Sequence, residues 1–182
     1  MNPFFLADFY KVGHPAQYSK DVQQIYSNWT PRYTHDKSRD SVVHFGLQYF
    51  IKRYLEAEFR GFFFDRPLSY VLNEYKNFVK ATLGTEPNVD HLEKLWKLQY
   101  LPIEIYSLPE GTTAPLGIPS MVITNTVDGF GWLVGYLESM MSACLWKPST
   151  SATKAQSYRN IFKHFAKSAG GNRFQLCRLD GA

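Results

Sequence analysis

The stretch ADFYKVGHPAQY, Ala7 to Tyr18, brings together Phe9, Tyr10, Lys11, His14 and Tyr18 without helical or strand periodicity. It reads as an irregular, exposed segment carrying rings and cations. Such side chains offer two kinds of chemistry: an aromatic face on which a flat ring can stack, and charge-assisted donors for anions. Packing of the same rings on their own domain explains the residue types equally well, and the stretch alone leaves both readings open. Further along, Ser149 to Leu179 contains Lys154, Arg159, Lys163, Lys167, Arg173 and Arg178 and no acidic residue. Its field attracts anions of any kind, from phosphorylated metabolites to nucleic acid. The Arg159, Lys163 and Lys167 row reads as a solvated helix face, and nucleic-acid binding is disfavoured because the rings fall mostly at core periodicity.

Self-contained catalytic motifs are missing. Neither GxxxxGK[ST] nor GxGxxG occurs, no GxSxG elbow is present, and none of the 5 histidines has another three or four positions away. Cys144 and Cys177 have no metal-ligand spacing and read as free thiols of a reducing, cytoplasmic compartment. The opening MNPFFLADFY lacks the basic n-region of a signal peptide. The apolar run from Gly129 to Trp146 carries Glu138 at its middle, which suits a buried helix whose carboxylate is paired with a neighbouring helix, and not a membrane span.

The elements that must position these residues follow from periodicity. With 182 residues, 45% hydrophobic, the chain is long enough for one domain with a real core. Leu47, Phe50, Ile51, Tyr54 and Leu55 define one helical stripe, and Leu68, Val71, Leu72, Tyr75, Phe78 and Val79 a second, begun by Asp65 and Pro67. A short helix is expected from Asn88 to Leu98. QQIYSNW, SVVHF and LPIEIYSLPEGTTAPLGIPSMVITNT read as strands and turns. Two helices are expected at the end: Phe130 to Trp146, apolar nearly all round, and Ser151 to Ala169, burying Tyr158, Phe162, Phe165 and Ala169. Strands, helices, strands and helices without βαβ alternation make an α+β domain.

Taken in order, these segments resemble nicotinamide phosphoribosyltransferases. ADFYKVGHPAQY is similar to the family's D-S-Y-K-x-x-H-x-x-Q-Y opening, and IYSNWTPR to a strand that ends in a phosphate-contacting arginine. VVHFGLQYFIKRYL, LPIEIYSLPEGTTAPLGIP and WLVGYLESMMSACLWKPSTSATKAQSYR match the family's next three motifs, with Pro15-Ala16 and Lys147 as small departures. The resemblance implies the N-terminal helix/strand domain of a type II phosphoribosyltransferase over residues 1–171, a divergent tail at 172–182, and head-to-tail dimers. It implies transfer of phosphoribosyl from phosphoribosyl pyrophosphate to nicotinamide, releasing pyrophosphate, in NAD salvage. Tyr10 falls on the tyrosine that stacks on nicotinamide from the neighbouring subunit, and Arg32 on the arginine that contacts substrate phosphate. Lys11 and His14 fall on site-adjacent positions. Magnesium and ATP, through a phosphohistidine, are implied for the complete enzyme.

After the last helix the family carries H-D-F-G-x-R-G and an α/β barrel; here the stretch is LCRLDGA. No complete catalytic set is therefore expected in this chain, which should be inactive by itself. It would act with a complementary barrel polypeptide, or as a non-catalytic partner that pairs with or inhibits an intact family enzyme, with homo-oligomers a further arrangement. A lobe shaped to lean on a barrel should also leave apolar surface bare and self-associate.

Overall fold

The computed structural model describes residues 1–19 and 21–168. The tail at 172–182 and Ala169, both assigned roles from the sequence, lie outside the described residues. Two 3-10 turns, Pro3–Leu6 and Phe9–Gly13, lead into α1 (His14–Gln17). Strands β1 (Tyr26–Trp29) and β2 (Ser41–Val43) precede a helical stretch that starts as α2 (Leu47–Tyr49) and continues in π-helical form through Phe50–Glu58 and Arg60–Phe64. Then come α3 (Leu68–Leu83), α4 (Asp90–Leu98), β3 (Ile103–Ser107), β4 (Thr113–Pro115), β5 (Met121–Asn125), α5 (Gly131–Tyr136) and α6 (Glu138–Ser168).

The strands form two small antiparallel sheets, one of three strands in the order β1-β5-β3 and one pairing β2 with β4. In the first, Trp29 faces Met121 and Ser107 faces Met121 from the other side. Alternation along β5 puts Met121, Ile123 and Asn125 inward. Asn125 is buried but fully used: its amide nitrogen donates to the carbonyls of Gln23 and Val127, and its side-chain oxygen accepts from the Ile25 N–H at 2.8 Å. A buried amide satisfied in this way ties the entrance of β1 to the exit of β5.

The first sequence-derived stripe is buried or half-buried throughout, and so is the second apart from Phe78, which is exposed. Phe50, Phe59 and Phe63 from the π-helical stretch and Val71, Tyr75 and Val79 from α3 meet in one core with Leu133 and Leu137. Phe4 is the centre of an aromatic cluster, with ring centroids 5.4 Å from Phe59, 5.0 Å from Phe63 and 5.3 Å from Tyr136. These edge-on geometries suit the ring quadrupoles. Tyr136 donates to the Phe4 carbonyl and lies 3.3 Å from the Tyr75 hydroxyl, so burial, first, and the neighbouring phenol hold its proton on.

Two expectations need correction. The last two helices do not divide at Trp146 and Ser151: the break falls at Leu137, and α6 then runs unbroken through Pro148. Proline cannot donate to the carbonyl of Cys144, four residues back. Gly46 packs against that carbonyl and the Pro148 ring, at φ 107°, where a Cβ would collide with the oxygen. The stripe of Tyr158, Phe162 and Phe165 is not buried; with Ile161 it is exposed. The domain holds α6 only as far as Thr153. There the Ser149 hydroxyl bonds both the N–H and the carbonyl of Phe45, and Thr153 Oγ1 accepts from the Val43 N–H at 2.9 Å. Beyond that point the helix projects past the core.

Candidate functional site

Arg32 lies three residues beyond the end of β1. The strand end is pinned by the Ser120 N–H donating to the Trp29 carbonyl at 3.0 Å and the Gly117 N–H donating to the Pro31 carbonyl at 2.8 Å. Proline at 31 fixes the backbone just before the arginine. Arg32 is exposed and has no ion pair among the described residues. Arg32 lines a cleft of about 760 Å³ formed between β1, the turn after it, and the α5–α6 junction. Asn28, Trp29, Gly135, Glu138 and Trp146 also line this cleft. Behind the Trp29 wall lies His44, buried, with Nδ1 3.1 Å from Ser120 Oγ; burial lowers its pKa, opposed by the Glu110 carboxylate.

Tyr10 stands 64% exposed on the Phe9–Gly13 turn, outside the Arg32 cleft. Its ring meets His14 edge-on at 5.2 Å. What fixes it is the next residue. Lys11 is fully buried, and its ammonium donates to the Gly135 carbonyl at 2.7 Å and to Glu138 Oε2. Asp8 adds a second tie, its N–H donating to Ser139 Oγ and its carboxylate accepting from that hydroxyl. Phe9 packs edge-on to Phe78 at 6.0 Å. With Asp8 tied to Ser139 and residues 9 and 11 packed inward, the 3-10 turn leaves residue 10 outward.

Glu138 is thus paired, as expected, but with a lysine of the N-terminal turn and not with a neighbouring helix. Its side chain stays 64% exposed at the floor of the cleft. His14 is half-buried beside α5. Gly135, which the sequence did not single out, lies against Tyr18 and His14: a Cβ there would stand 3.1 Å from the Tyr18 hydroxyl, a tight contact that the ring end can relieve, and 3.9 Å from His14 Nδ1, an ordinary one. Its only sequence signal was a glycine inside the apolar run WLVGY.

The structure therefore brings Lys11 and His14 to the α5–α6 junction and Arg32 to the cleft opposite it, with Tyr10 facing solvent. A cleft with one guanidinium on its rim can grip an anionic group, and an open phenol ring can stack on a flat partner. Among the described residues no three His, Cys, Asp or Glu side chains are grouped where a metal ion could be held. No helix among the described residues is long and apolar enough to cross a membrane.

This architecture, helices around small antiparallel sheets with no barrel among the described residues, is the α+β N-terminal domain fold of a type II phosphoribosyltransferase. The crystal structure of human nicotinic acid phosphoribosyltransferase matches 97% of this chain and 32% of its own, with a TM-score of 0.64 at 20% identity. Residues 2–77 match the family described as nicotinamide phosphoribosyltransferase, N-terminal domain. The nicotinamide phosphoribosyltransferase of Acinetobacter baylyi is 37% identical over 179 residues, covering 94% of this chain and 35% of that protein. That of Mycoplasma genitalium is 25% identical over 180 residues, covering 88% and 38%. The chain is a relative of nicotinamide phosphoribosyltransferases, corresponds to their N-terminal portion, and spans little more than a third of the length of these curated relatives.

Proposed function

We propose that this chain is the N-terminal part of a nicotinamide phosphoribosyltransferase, with residues 1–171 as its domain, and that it contributes ring and phosphate contacts to a site completed by another polypeptide. Arg32 grips a phosphate of phosphoribosyl pyrophosphate, and Tyr10 stacks on nicotinamide in a neighbouring subunit. One observation carries this reading: Tyr10 is turned outward by the buried anchor of Lys11, away from the cleft that Arg32 lines. A ring presented in that way suits a site shared between chains. Lys11 and His14 hold the turn and touch no substrate. Stabilising a developing oxocarbenium and a leaving pyrophosphate requires ligands from several directions. One tyrosine and one arginine do not supply them, so the chain alone is inactive in this reading. Magnesium and ATP act on the complementary part. The setting is a reducing cytoplasm, which suits the free, buried thiol of Cys144.

The experiment is reconstitution. The chain is mixed with a polypeptide comprising the remaining part of the Acinetobacter baylyi relative, and formation of nicotinamide mononucleotide is followed. Activity in the mixture and none in either part supports the reading; a mixture as silent as its parts overturns it.

A second reading has its own observation, the exposed apolar row on α6. A non-catalytic lobe could dock by that row onto an intact family enzyme and inhibit it. Capture of intact enzyme by the chain, weakened by Phe162→Glu with Phe165→Glu, supports it; no capture by either form ends it.

A further inference from the structure

The Arg32 cleft holds two opposite charges that do not meet. Among its lining residues Arg32 is the only cation and Glu138 the only carboxylate, and no ion pair joins them among the described residues. Glu138 pairs instead with Lys11, which is buried and does not line the cleft. That ammonium takes Glu138 Oε2, while Oε1 has no hydrogen-bond partner among the described residues and the side chain stays 64% exposed. Lys11 thus fixes the carboxylate and offsets its charge, which leaves Glu138 better suited to neutral donors than to a second cation. The hydroxyls around it are already donating elsewhere. Thr30 donates to Asn28 Oδ1 at 2.8 Å, Thr150 to the Trp146 carbonyl at 2.8 Å and Ser149 to the Phe45 carbonyl at 3.1 Å. A molecule that brings both an anionic group and hydroxyl donors into this cleft therefore meets one charged partner for each. Carboxylates are established partners of ribose hydroxyls in nucleotide sites. A cleft of about 760 Å³ accommodates a pentose phosphate with room left over.

We propose that Glu138 selects the sugar in this cleft: with the phosphate of a ribose phosphate on Arg32, the Glu138 carboxylate accepts hydrogen bonds from the vicinal hydroxyls. The proposal rests on the reading of Arg32 as a phosphate ligand and adds the residue that reads the ribose. Lys11 is then a positioning residue, which holds that carboxylate in place without touching the sugar.

The test uses the full 182-residue chain, labelled with ¹⁵N, at neutral pH. Ribose 5-phosphate and 2-deoxyribose 5-phosphate are titrated separately, and the backbone amide resonances of residues 28–33 and 138–142 are followed. Ribose 5-phosphate should give saturable shifts, and the deoxy sugar should bind roughly tenfold more weakly, because it lacks one hydroxyl that a charged acceptor would take. Arg32→Gln should weaken both sugars alike, by roughly tenfold or more. Glu138→Gln should shrink the preference for ribose and leave the affinity for the deoxy sugar unchanged. The two sugars are compared first on the unsubstituted chain, so the stability cost of Glu138→Gln does not decide the outcome. If ribose 5-phosphate does not saturate, or binds equally well to Arg32→Gln, the phosphate reading of Arg32 fails and this proposal with it. If Arg32→Gln weakens binding but the two sugars bind equally, or Glu138→Gln keeps the preference in full, the role of Glu138 alone is overturned.

Discussion

Lys11 Nζ and Glu138 Oε2 form an ion pair across 127 positions of sequence, with the lysine wholly buried and the carboxylate largely in water. The asymmetry sets the energetics. A buried ammonium is costly unless its donors are used, and here they are met by Glu138 and the Gly135 carbonyl. Glu138→Gln should cost about 2 kcal/mol, near the middle of the range for hydrogen bonds to charged groups. Lys11→Met, which keeps the apolar stem, should cost a similar amount. The double variant should be more stable than the sum of the two predicts, because it removes both charges together. Urea midpoints of the four proteins measure this, and strict additivity would show that the pair is not coupled.

Gly46 offers a sharper steric case. Gly46→Ala combines a left-handed backbone with collision against the Cys144 carbonyl and the Pro148 ring, none of which can move cheaply. Gly84→Ala is the control, at φ 74° with nothing within reach of the added methyl. The control should cost about 1–2 kcal/mol from backbone conformation alone. Gly46→Ala should cost clearly more, read as a larger fall in melting temperature, and equal falls would refute the close approach.

The helical stripes, the strands and the carboxylate pairing of Glu138 were legible in the sequence because each rests on local periodicity or on a lone charge in an apolar run. Two things were not. The stripe of Tyr158, Phe162 and Phe165 has the same period as a core-facing helix, and periodicity says which residues share a face but not whether anything covers it. The run through Pro148 was hidden because proline favours a helix end, and the residue packed against the freed Cys144 carbonyl, Gly46, is 102 positions from Pro148. Of the candidate site, the residue types at 10 and 32 could be read directly. The burial of Lys11 depends on packing of the N-terminal turn against α5, which no single segment encodes.

The exposed row on α6 should govern behaviour in solution. Tyr158, Ile161, Phe162 and Phe165 lie at helical spacing on a segment that the core does not support. Exposed apolar patches of this kind drive association. The chain should self-associate, and Phe162→Glu with Phe165→Glu should make it monomeric while changing stability by no more than about 0.5 kcal/mol, as for other surface substitutions. Light scattering decides between this and a chain that is monomeric throughout.

His91 should make folding sensitive to mild acid. Its pKa is lowered by burial from 6.5 to about 4, so between these values the unfolded chain binds a proton that the folded chain refuses. Its contribution is therefore fully present above pH 6.5 and is lost as pH falls toward 4. The total is on the order of 3 kcal/mol, at about 1.4 kcal/mol per unit. His91→Phe should flatten the stability–pH curve across that window, measured by urea unfolding at a series of pH values. An unchanged slope would assign the acid sensitivity to other groups.

Tyr10 and Arg32 should separate in the reconstituted enzyme according to what each one touches. Tyr10 is exposed and packs on no core residue, so Tyr10→Ala should leave the fold intact. Loss of ring stacking, roughly 0.5–1.5 kcal/mol beyond burial, should raise KM for nicotinamide by about 2- to 13-fold. Tyr10→Phe should restore it, since stacking uses the ring and not the hydroxyl. Arg32→Gln removes a charged donor from the cleft wall. Hydrogen bonds to charged groups contribute about 1.5–3 kcal/mol, so KM for phosphoribosyl pyrophosphate should rise by roughly 10- to 150-fold with nicotinamide unaffected. Steady-state kinetics with each substrate varied in turn gives the four values. Equal effects of both substitutions on both substrates would mean that the two side chains act only by holding the lobe together.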